Sequence, residues 1–273
     1  MKNRSSFSTF NPSNSLVSQF VSYYYLDIKP DNKRTEFTCF PHYNSSISLY
    51  SSHKRTENNE MVFDKNAPSF QIFSPIRTKT MRVKQVGKIH RIVIVLNPLG
   101  VQQFYRNLDF TKHILRYNFF SEIEIQQIFC ETDPNVIANL LDDFLLKRYK
   151  MYQQEIVSKS IACVFTNLTS FSVESLADDL NICRRHLNRT FKTHLGLSIK
   201  QFHCIALFRK AMEKKISTPF EVNWTSLAYD LNFSDQSHLN KVFKKFALVS
   251  PNEFFKKGTV LGNQGLFWHI HTF

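Results

Sequence analysis

Hydrophobic and polar positions follow two different patterns along the chain. From about residue 15 to 97, aromatic and β-branched runs alternate with polar clusters, as in strands separated by turns; the runs are FVSYYYLDI, SSISLY, SFQIF and HRIVIVL. After residue 100, apolar residues recur at helical spacing in SEIEIQQIF and VIANLLDDFLLKRYKM, and Pro134 is well placed to begin the second of these segments. The pattern predicts a β-rich unit followed by two helices.

The second half of the chain contains an internal repeat. LADDLNICRRHLNRTFK at residues 176–192 and LAYDLNFSDQSHLNKVFK at residues 227–244 align along their length, with Ser237 as the one extra residue. Each copy predicts a short helix that begins around Leu176 or Leu227, then a turn, then a second helix. This order of elements is that of a helix-turn-helix.

Turn and cap residues occur at the expected places in both copies. Asn181 and Asn232 fall between the two helices of each copy, and Asn tolerates the left-handed backbone that a sharp turn often requires. The hydroxyl of a serine can accept hydrogen bonds from the unpaired N–H groups at a helix start. We therefore expect Ser172 to cap the first short helix and Ser234 to cap the last long one.

The second helix of each copy has an apolar side and a polar side. The apolar positions are Leu187, Phe191 and Leu195 in the first copy, and Leu239, Val242, Phe243 and Phe246 in the second. The outward positions are Arg185, Asn188, Arg189 and Lys192, and then Ser237, Asn240, Lys241 and Lys244. Arg and Asn can bond to guanine and adenine edges, and a helix fits the major groove. A single such helix is more often a solvated surface helix, but two copies in one register favour duplex DNA.

A third helix is predicted between the two copies. SIKQFHCIALFRKAMEKKI carries an apolar stripe, and Ser198 is placed to cap a helix from about 199 to 215. Such a helix would span roughly 25 Å. Major-groove segments on one face of DNA recur about every 34 Å. The connecting helix, with the width of the two modules, can therefore hold two reading helices on neighbouring turns.

Charge and hydropathy limit the classes of partner. Lys and Arg number 35 against 22 Asp and Glu, giving a net charge of +13 that favours nucleic acid or an anionic membrane surface. MKNRSSFSTFNPSNS contains no apolar run of signal-peptide length, and no segment reaches the roughly 18 apolar residues of a membrane span. We expect a soluble cytoplasmic protein with no membrane partner.

Candidate metal and thiol chemistry is weak. The cysteines are odd in number and form no Cys-x-x-Cys pair, so we expect reduced, buried thiols at Cys39, Cys130, Cys163, Cys183 and Cys204. His269 and His271 lack a third ligand at a suitable spacing, and no glycine-rich phosphate loop is present. We predict no metal site, no cofactor and no catalytic residue.

These patterns together predict an α+β fold with two domains, in accord with a length of 273 residues. Residues 1–155 are expected to form a β-rich domain followed by helices. Residues 156–258 are expected to form an all-α domain with two helix-turn-helix modules joined by a linker helix, and residues 259–273 a C-terminal tail. The border is placed in the polar stretch from Lys150 to Ser158.

The stretch from about Ser172 to Lys257 resembles the AraC/XylS family of bacterial transcription regulators. The matching positions include Leu176-Ala177, Arg185, Leu187, Arg189, Phe191-Lys192, Gly196, Ser198, Leu227-Ala228, Phe233, Asp235, Ser237-His238, Phe243-Lys244-Lys245, Ser250-Pro251 and Phe254. The resemblance covers about a third of the chain and implies a sequence-specific DNA-binding regulator with two helix-turn-helix modules. One departure is Leu248, which stands where the family usually has Gly.

The resemblance also implies roles for single residues. Base contacts would come from Arg185, Asn188 and Arg189 in the first module, and from Ser237, Asn240 and Lys241 in the second. Arg184, Lys192, Gln236, Lys244 and Lys245 are expected to contact the DNA backbone. The N-terminal stretch HRIVIVLNPLGVQQFY resembles the family's regulatory domains, which bind a small-molecule effector, form a homodimer, or do both. RNA polymerase is a further expected partner.

Two other classes of function make different demands on the sequence. DNA-repair alkyl transfer, which some related proteins perform, needs an activated cysteine in a Pro-Cys-His setting and often a zinc site; the chain has neither. Cys183 lies beside two arginines, but at a helix start it occupies a capping position. A membrane-surface protein held by basic helices would bind lipid vesicles rather than retard DNA. We therefore predict a regulator and not an enzyme.

Overall fold

A computed structural model describes residues 5–218, 223–233 and 235–271. The N-terminal strands are β1 (Ser6–Phe10), β2 (Val21–Lys29), β3 (Arg34–Cys39), β4 (Ser45–Tyr50), β5 (His53–Arg55), β6 (Glu60–Phe63), β7 (Phe70–Ser74), β8 (Met81–Val86) and β9 (Ile89–Leu96). Two helices follow, α1 (Glu122–Cys130) and α2 (Pro134–Arg148). The predicted β-rich unit and its two helices are confirmed, and Pro134 occupies the first turn of α2.

The C-terminal region is helical up to residue 257. Its helices are α3 (Glu155–Thr166), α4 (Val173–Asp179), α5 (Arg184–Leu195), α6 (Ile199–Ser217), α7 (Trp224–Asp230), α8 (Gln236–Ala247) and α9 (Pro251–Lys257). Two short strands close the chain, β10 (Thr259–Leu261) and β11 (Leu266–His271). The predicted α+β fold class, with its helix-turn-helix modules joined by a linker helix, is confirmed.

The strands form two sheets. The first sheet has the order β1-β2-β9-β4-β7, and the second has the order β10-β11-β3-β8-β6-β5. The described pairs are antiparallel except β6 with β8, which is parallel. The second sheet therefore contains strands from both ends of the chain.

Both faces of the first sheet are buried, which explains the long apolar runs in β2 and β9. Tyr24 and Ile94 point to one face and pack against the side of α1 and α2. Tyr23, Tyr25 and Val93 point to the other face, toward the second sheet. Side chains alternate along a strand, so a strand that is buried on both faces needs apolar residues at successive positions.

A buried hydrogen-bond network fixes α2 to the first sheet. The hydroxyl of Tyr24 donates to Oδ1 of Asp142 at 2.6 Å, and the backbone N–H groups of Ser13 and Asn14 donate to its Oδ2 at 2.7 Å. Asp142 is 2% exposed, so its partners supply the hydrogen bonds that water would otherwise make. Burial nonetheless raises the pKa of this carboxyl.

The cysteine prediction is only partly correct. The described cysteines are all free thiols, and Cys39 is buried, but Cys130 and Cys183 are exposed. Cys130 is the last residue of α1 and Cys183 directly precedes α5. Helix ends lie at the surface here, so a small apolar residue type did not imply burial. Within the described ranges, no helix is long and apolar enough to cross a membrane.

Candidate nucleic-acid interface

The first helix-turn-helix module consists of α4 and α5. Ser172 caps α4 by accepting a hydrogen bond from the N–H of Ser175, as predicted. The helix begins at Val173, three residues before the predicted start at Leu176, because this cap fixes its first turn. Asn181 has φ +52°, the left-handed conformation expected for the turn.

The second module, α7 and α8, repeats this geometry. Asn232 has φ +56°, and its side chain donates to the carbonyl of Thr169 at 2.7 Å, which ties the turn to the segment between α3 and α4. The predicted cap Ser234 lies outside the described residues. The N-cap of α8 is Asp235, whose carboxylate accepts from the N–H of His238 at 2.7 Å. A carboxylate at this place also interacts favourably with the helix dipole.

The turns after α5 and α8 are equivalent but occupied by different residues. Gly196 ends α5 with φ +79°, and a Cβ built there would lie 3.0 Å from Cβ of Thr111. Leu248 ends α8 with φ +66° and is 72% exposed. The left-handed conformation is strained for leucine. The open surroundings explain why a side chain fits at Leu248 but not at Gly196.

The linker helix joins both modules in one hydrophobic core. Ser198 caps α6 in a capping box with Gln201, as the sequence predicts. Phe202 lies 5.4 Å from the ring of Phe191 on α5, and Phe208 lies 5.1 Å from the ring of Phe243 on α8. These aromatic contacts set the position of each second helix relative to α6, so the two modules share one framework.

The predicted base-reading residues of the first module lie together on the outer face of α5. Arg185 and Arg189 are exposed, and Asn188 is half-buried. The side chain of Asn188 donates to the carbonyl of Arg184 at 3.0 Å, and Arg189 lies 3.1 Å from Nδ1 of His186. The predicted backbone contacts Arg184 and Lys192 are also exposed. With no acidic residue in α5, this face is strongly basic.

The outer face of α8 has the same arrangement with fewer arginines. Ser237 and Lys241 are exposed and Asn240 is half-buried, and the predicted backbone contacts Gln236, Lys244 and Lys245 are exposed. The side-chain oxygen of Gln236 accepts from the hydroxyl of Thr225 at 3.2 Å. Helix α8 itself contains no acidic residue. Both predicted faces are therefore present, basic and uncovered by the N-terminal region.

Sequence reasoning missed the residues that connect these modules to the N-terminal region. Arg209 of α6 is buried, and its guanidinium donates to the carbonyl of Pro41 at 2.6 Å and of Phe40 at 3.0 Å. His194 of α5 lies 2.7 Å from the hydroxyl of Tyr152, and burial lowers its pKa. The only available signal was a basic residue within the apolar stripe of the linker helix.

A cavity of about 60 Å³ lies where Arg209 meets the two sheets. Arg77, Arg91 and His42 also line it. Burial, and next the guanidinium of Arg77, lowers the pKa of Arg209 to about 10. Burial and the same two arginines hold the pKa of His42 well below its usual value. Arg91 is paired with Asp27 at 3.2 Å. Among the described residues, Nε of Arg77 and Nε of Arg91 are buried without a hydrogen-bond partner.

This arrangement suits an anion. The guanidinium groups of Arg77 and Arg209 share a poorly solvated space. The nitrogens of Arg209 donate to neutral carbonyl groups rather than to a carboxylate. Buried charges without a counter-charge are costly, and a bound anion would reduce that cost. Within the described ranges, no group of three His, Cys, Asp or Glu side chains could hold a metal ion.

Comparisons with known proteins bear on the C-terminal region. Residues 176–257 match the model of a helix-turn-helix domain family. No curated protein sequence matches the chain. The C-terminal domain of AraT, a response regulator from Geobacillus stearothermophilus, is 27% identical, with 38% of this chain and 85% of that chain covered and a TM-score of 0.35. ToxT from Vibrio cholerae is 12% identical, with coverage of 93% and 97% and a TM-score of 0.47.

Proposed function

We propose that the chain is a transcription regulator of the AraC/XylS family and that it reads two adjacent major-groove segments of duplex DNA with α5 and α8. The observation that carries this proposal is the pair of exposed basic faces, in one register, on modules that share a core through α6. Helix α6 has 19 residues and so spans roughly 28 Å, which suits groove segments about 34 Å apart.

The proposal assigns roles by side-chain chemistry. Arg185, Asn188 and Arg189 would contact bases in one block, and Ser237, Asn240 and Lys241 in the other. Arg184, Lys192, Gln236, Lys244 and Lys245 would contact phosphates. Arg and Asn can bond bidentately to base edges, whereas a lysine is a point charge that reads bases less strictly. We therefore expect the first block to be the more strictly specified.

Sites selected from random duplex DNA by the full-length chain test this reading. We expect two unlike blocks about one helical turn, or roughly 10 bp, apart. The double variant Asn188→Ala/Arg189→Ala should alter the preference in one block, and Asn240→Ala/Lys241→Ala in the other. Lys159→Ala removes an exposed charge on α3 and is the matched control, for which the selected sites should not change. Changes that overlap in a single block would contradict the two-segment reading.

For the N-terminal region, residues 1–155, we propose a regulatory role with an anionic small molecule as effector. The support is the cavity at Arg77 and Arg209, which lies between the sheets and the linker helix. An occupant would contact both the regulatory region and the helix that joins the two reading modules. It could therefore change how these parts pack together.

Calorimetric titration with a series of straight-chain monocarboxylates tests the effector site. We expect Arg77→Met to weaken binding at least about tenfold, because one such charge-assisted contact exceeds about 1.4 kcal/mol. Arg82→Met removes a guanidinium that is 70% exposed on β8, a few residues further along the chain, and should leave binding unchanged. Equal binding by the wild type and both variants would refute the assignment of this cavity.

We also propose that the regulator acts as a homodimer through α1 and α2, with RNA polymerase as its partner at a promoter. Ile123 and Val136 support the dimer, because they are 69% and 40% exposed on these helices. Light scattering should show a dimer for the wild type and a monomer for Ile123→Lys. A monomeric wild type at micromolar concentration would contradict this part of the proposal.

A further inference from the structure

The segment after α9 is part of the N-terminal fold. After α9 the chain continues through Gly258 into a hairpin, β10 and β11, which turns at Gly262 and Gly265. Strand β11 then pairs antiparallel with β3, with Ile270 opposite Phe37 and His271 opposite Glu36. The strand thus extends a sheet whose other members, apart from β10, come from the first 86 residues.

One side of β11 is anchored in the N-terminal region. Trp268 is 5% exposed and stacks on the ring of Phe37 with centroids 4.3 Å apart. The guanidinium of Arg91 lies 5.7 Å from the Trp268 ring. At the hairpin tip, the N–H of Asn263 donates to Oγ1 of Thr9 at 2.8 Å.

The opposite side of β11 is anchored on the second reading module. Phe267 lies 4.8 Å from the ring of Phe254 on α9, and Nε2 of His269 lies 2.8 Å from the Phe254 carbonyl. Phe254 in turn contacts Phe243 of α8 with centroids 5.4 Å apart. Side chains alternate along a strand, so one face of β11 packs on the N-terminal sheet and the other packs on α9. On that second face His269 also contacts Phe40, which follows β3, with ring centroids 4.6 Å apart.

The hairpin is also tied to the cavity described above. Leu266, Phe267 and Trp268 form part of the cavity wall beside Arg77. The pairing with β3 extends over three residue pairs, so its backbone hydrogen bonds are few. The reading faces of α5 and α8 lie away from it and stay exposed. The contact between β11 and β3 is short, lies close to the cavity and does not cover the outer faces of α5 and α8. It is therefore better suited to regulating how the second module is held than to contacting DNA.

We propose that residues 259–271 form a strap that fixes the second helix-turn-helix module to the N-terminal sheet, and that the docked strap raises affinity for the second DNA block. The inference rests on the proposed two-segment reading of DNA. Its physical basis is preorganisation: a module held in place loses less freedom when it binds. Release of the strap leaves the first module untouched, because that module is attached separately through His194.

Two variants release the strap, and one controls for lost stability. Trp268→Ala removes the anchor in the N-terminal sheet and keeps Phe267 and His269, and a chain that ends at Gly258 lacks the hairpin. Phe73→Ala is the matched control, because it truncates an aromatic residue that is 1% exposed in the first sheet, on the face away from Trp268. Affinities are measured on a duplex with both blocks and on one with the second block scrambled.

The gain from the second block is the ratio of the affinity for the duplex with both blocks to the affinity for the duplex with the second block scrambled. We expect this ratio to be about tenfold smaller in both strap variants than in the wild type. Their affinity for the duplex with the second block scrambled should equal that of the wild type. In Phe73→Ala, the ratio of the affinities for the two duplexes should equal the wild-type ratio. An unchanged gain in the strap variants, or an equal loss on both duplexes, would overturn the proposal. So would failure of both strap variants to fold, as judged by near-ultraviolet circular dichroism, because the hairpin would then be an indispensable part of the sheet.

Amide hydrogen exchange separates this proposal from the two-segment reading. If the wild type gains nothing from the second block, the DNA proposal fails by itself. The strap is then judged by exchange alone: α8 and α9 should exchange faster in Trp268→Ala than in Phe73→Ala, while α4 and α5 should be equal in the two. Equal exchange at α8 and α9 would refute the strap whatever the DNA results.

Discussion

The two equivalent turns after α5 and α8 allow a paired substitution with opposite expected signs. Gly196→Ala places a Cβ at φ +79° and 3.0 Å from Cβ of Thr111. The left-handed conformation costs roughly 1–2 kcal/mol for a residue with a Cβ. The smaller entropy of the unfolded alanine chain returns about 0.4–1 kcal/mol. With the close contact added, we expect the free energy of unfolding to fall by about 1 kcal/mol or more.

Leu248→Gly reverses these terms at the equivalent position. It relieves the strain at φ +66° and loses little buried surface, because Leu248 is 72% exposed. The gain of roughly 1–2 kcal/mol exceeds the entropic cost of about 0.4–1 kcal/mol, so the free energy of unfolding should rise by about 0.5–1 kcal/mol. For a chain of this size, each kcal/mol shifts the melting temperature by roughly 2–4 °C.

Thermal and urea unfolding of the full chain measure both effects. Gly265→Ala is the control, because Gly265 has φ +63° and, among the residues that the structure describes, no neighbouring atom lies within 4 Å of an added Cβ. The difference between Gly196→Ala and Gly265→Ala isolates the contact with Thr111. A stabilising Gly196→Ala or a destabilising Leu248→Gly would refute the strain argument, since both signs depend on it.

Three further predictions concern DNA binding, pH and the buried network. Arg189→Ala should cost about 1–3 kcal/mol of binding free energy on the selected site and relax the base preference. Lys192→Ala should weaken binding to all sequences alike and reduce the salt slope by about 1. Equal losses of affinity on specific and random DNA for Arg189→Ala would mean that Arg189 contacts only phosphate. Burial, and next Arg209 and Arg77, depress the pKa of His42 in the folded chain. As the pH decreases through about 6.5, the imidazole is therefore protonated in the unfolded chain but not in the folded one, and the free energy of unfolding falls. His42→Asn should reduce that slope by up to about 1.4 kcal/mol per pH unit, and an unchanged profile in urea melts between pH 7 and 5 would contradict it. Tyr24→Phe should lower the free energy of unfolding by about 1–3 kcal/mol, because Asp142 then lacks a buried donor; Tyr43→Phe, whose ring is only half-buried, should change it less.

Local features of the fold could be predicted from the sequence because their causes are local. The two modules, the turns at Asn181 and Asn232, and the caps at Ser172 and Ser198 depend on residues within a few positions of each other. The start of α8 shows the limit of this reasoning. Serine and aspartate are comparable N-caps, so residue type alone does not choose between neighbouring candidates; the N-cap of α8 is Asp235, and the predicted cap Ser234 lies outside the described residues.

Contacts between distant parts of the chain could not be predicted in the same way. The anchoring of Arg209 on Phe40 and Pro41 joins residues about 170 positions apart, and no periodic pattern marks it. The segment FWHIHTF alternates aromatic and histidine residues, but nothing in the sequence marks β3 as its partner strand, so the pairing of β11 could not be predicted. The residue types of the two outward helix faces, and the linker helix between the modules, were visible from the sequence, but the attachment of that helix to the N-terminal region was not.

The pairing of β11 with β3 also sets an order of events during synthesis. Between Cys39, which ends β3, and Leu266, which begins β11, the ribosome must add 227 residues. At about 5–20 residues per second, that takes roughly 10–45 s. Throughout this interval the outer edge of β3 presents unpaired backbone N–H and C=O groups, which can pair with strands of other chains. Nascent chains are therefore most prone to aggregate before the hairpin leaves the ribosome, and a chaperone that covers this edge would protect them.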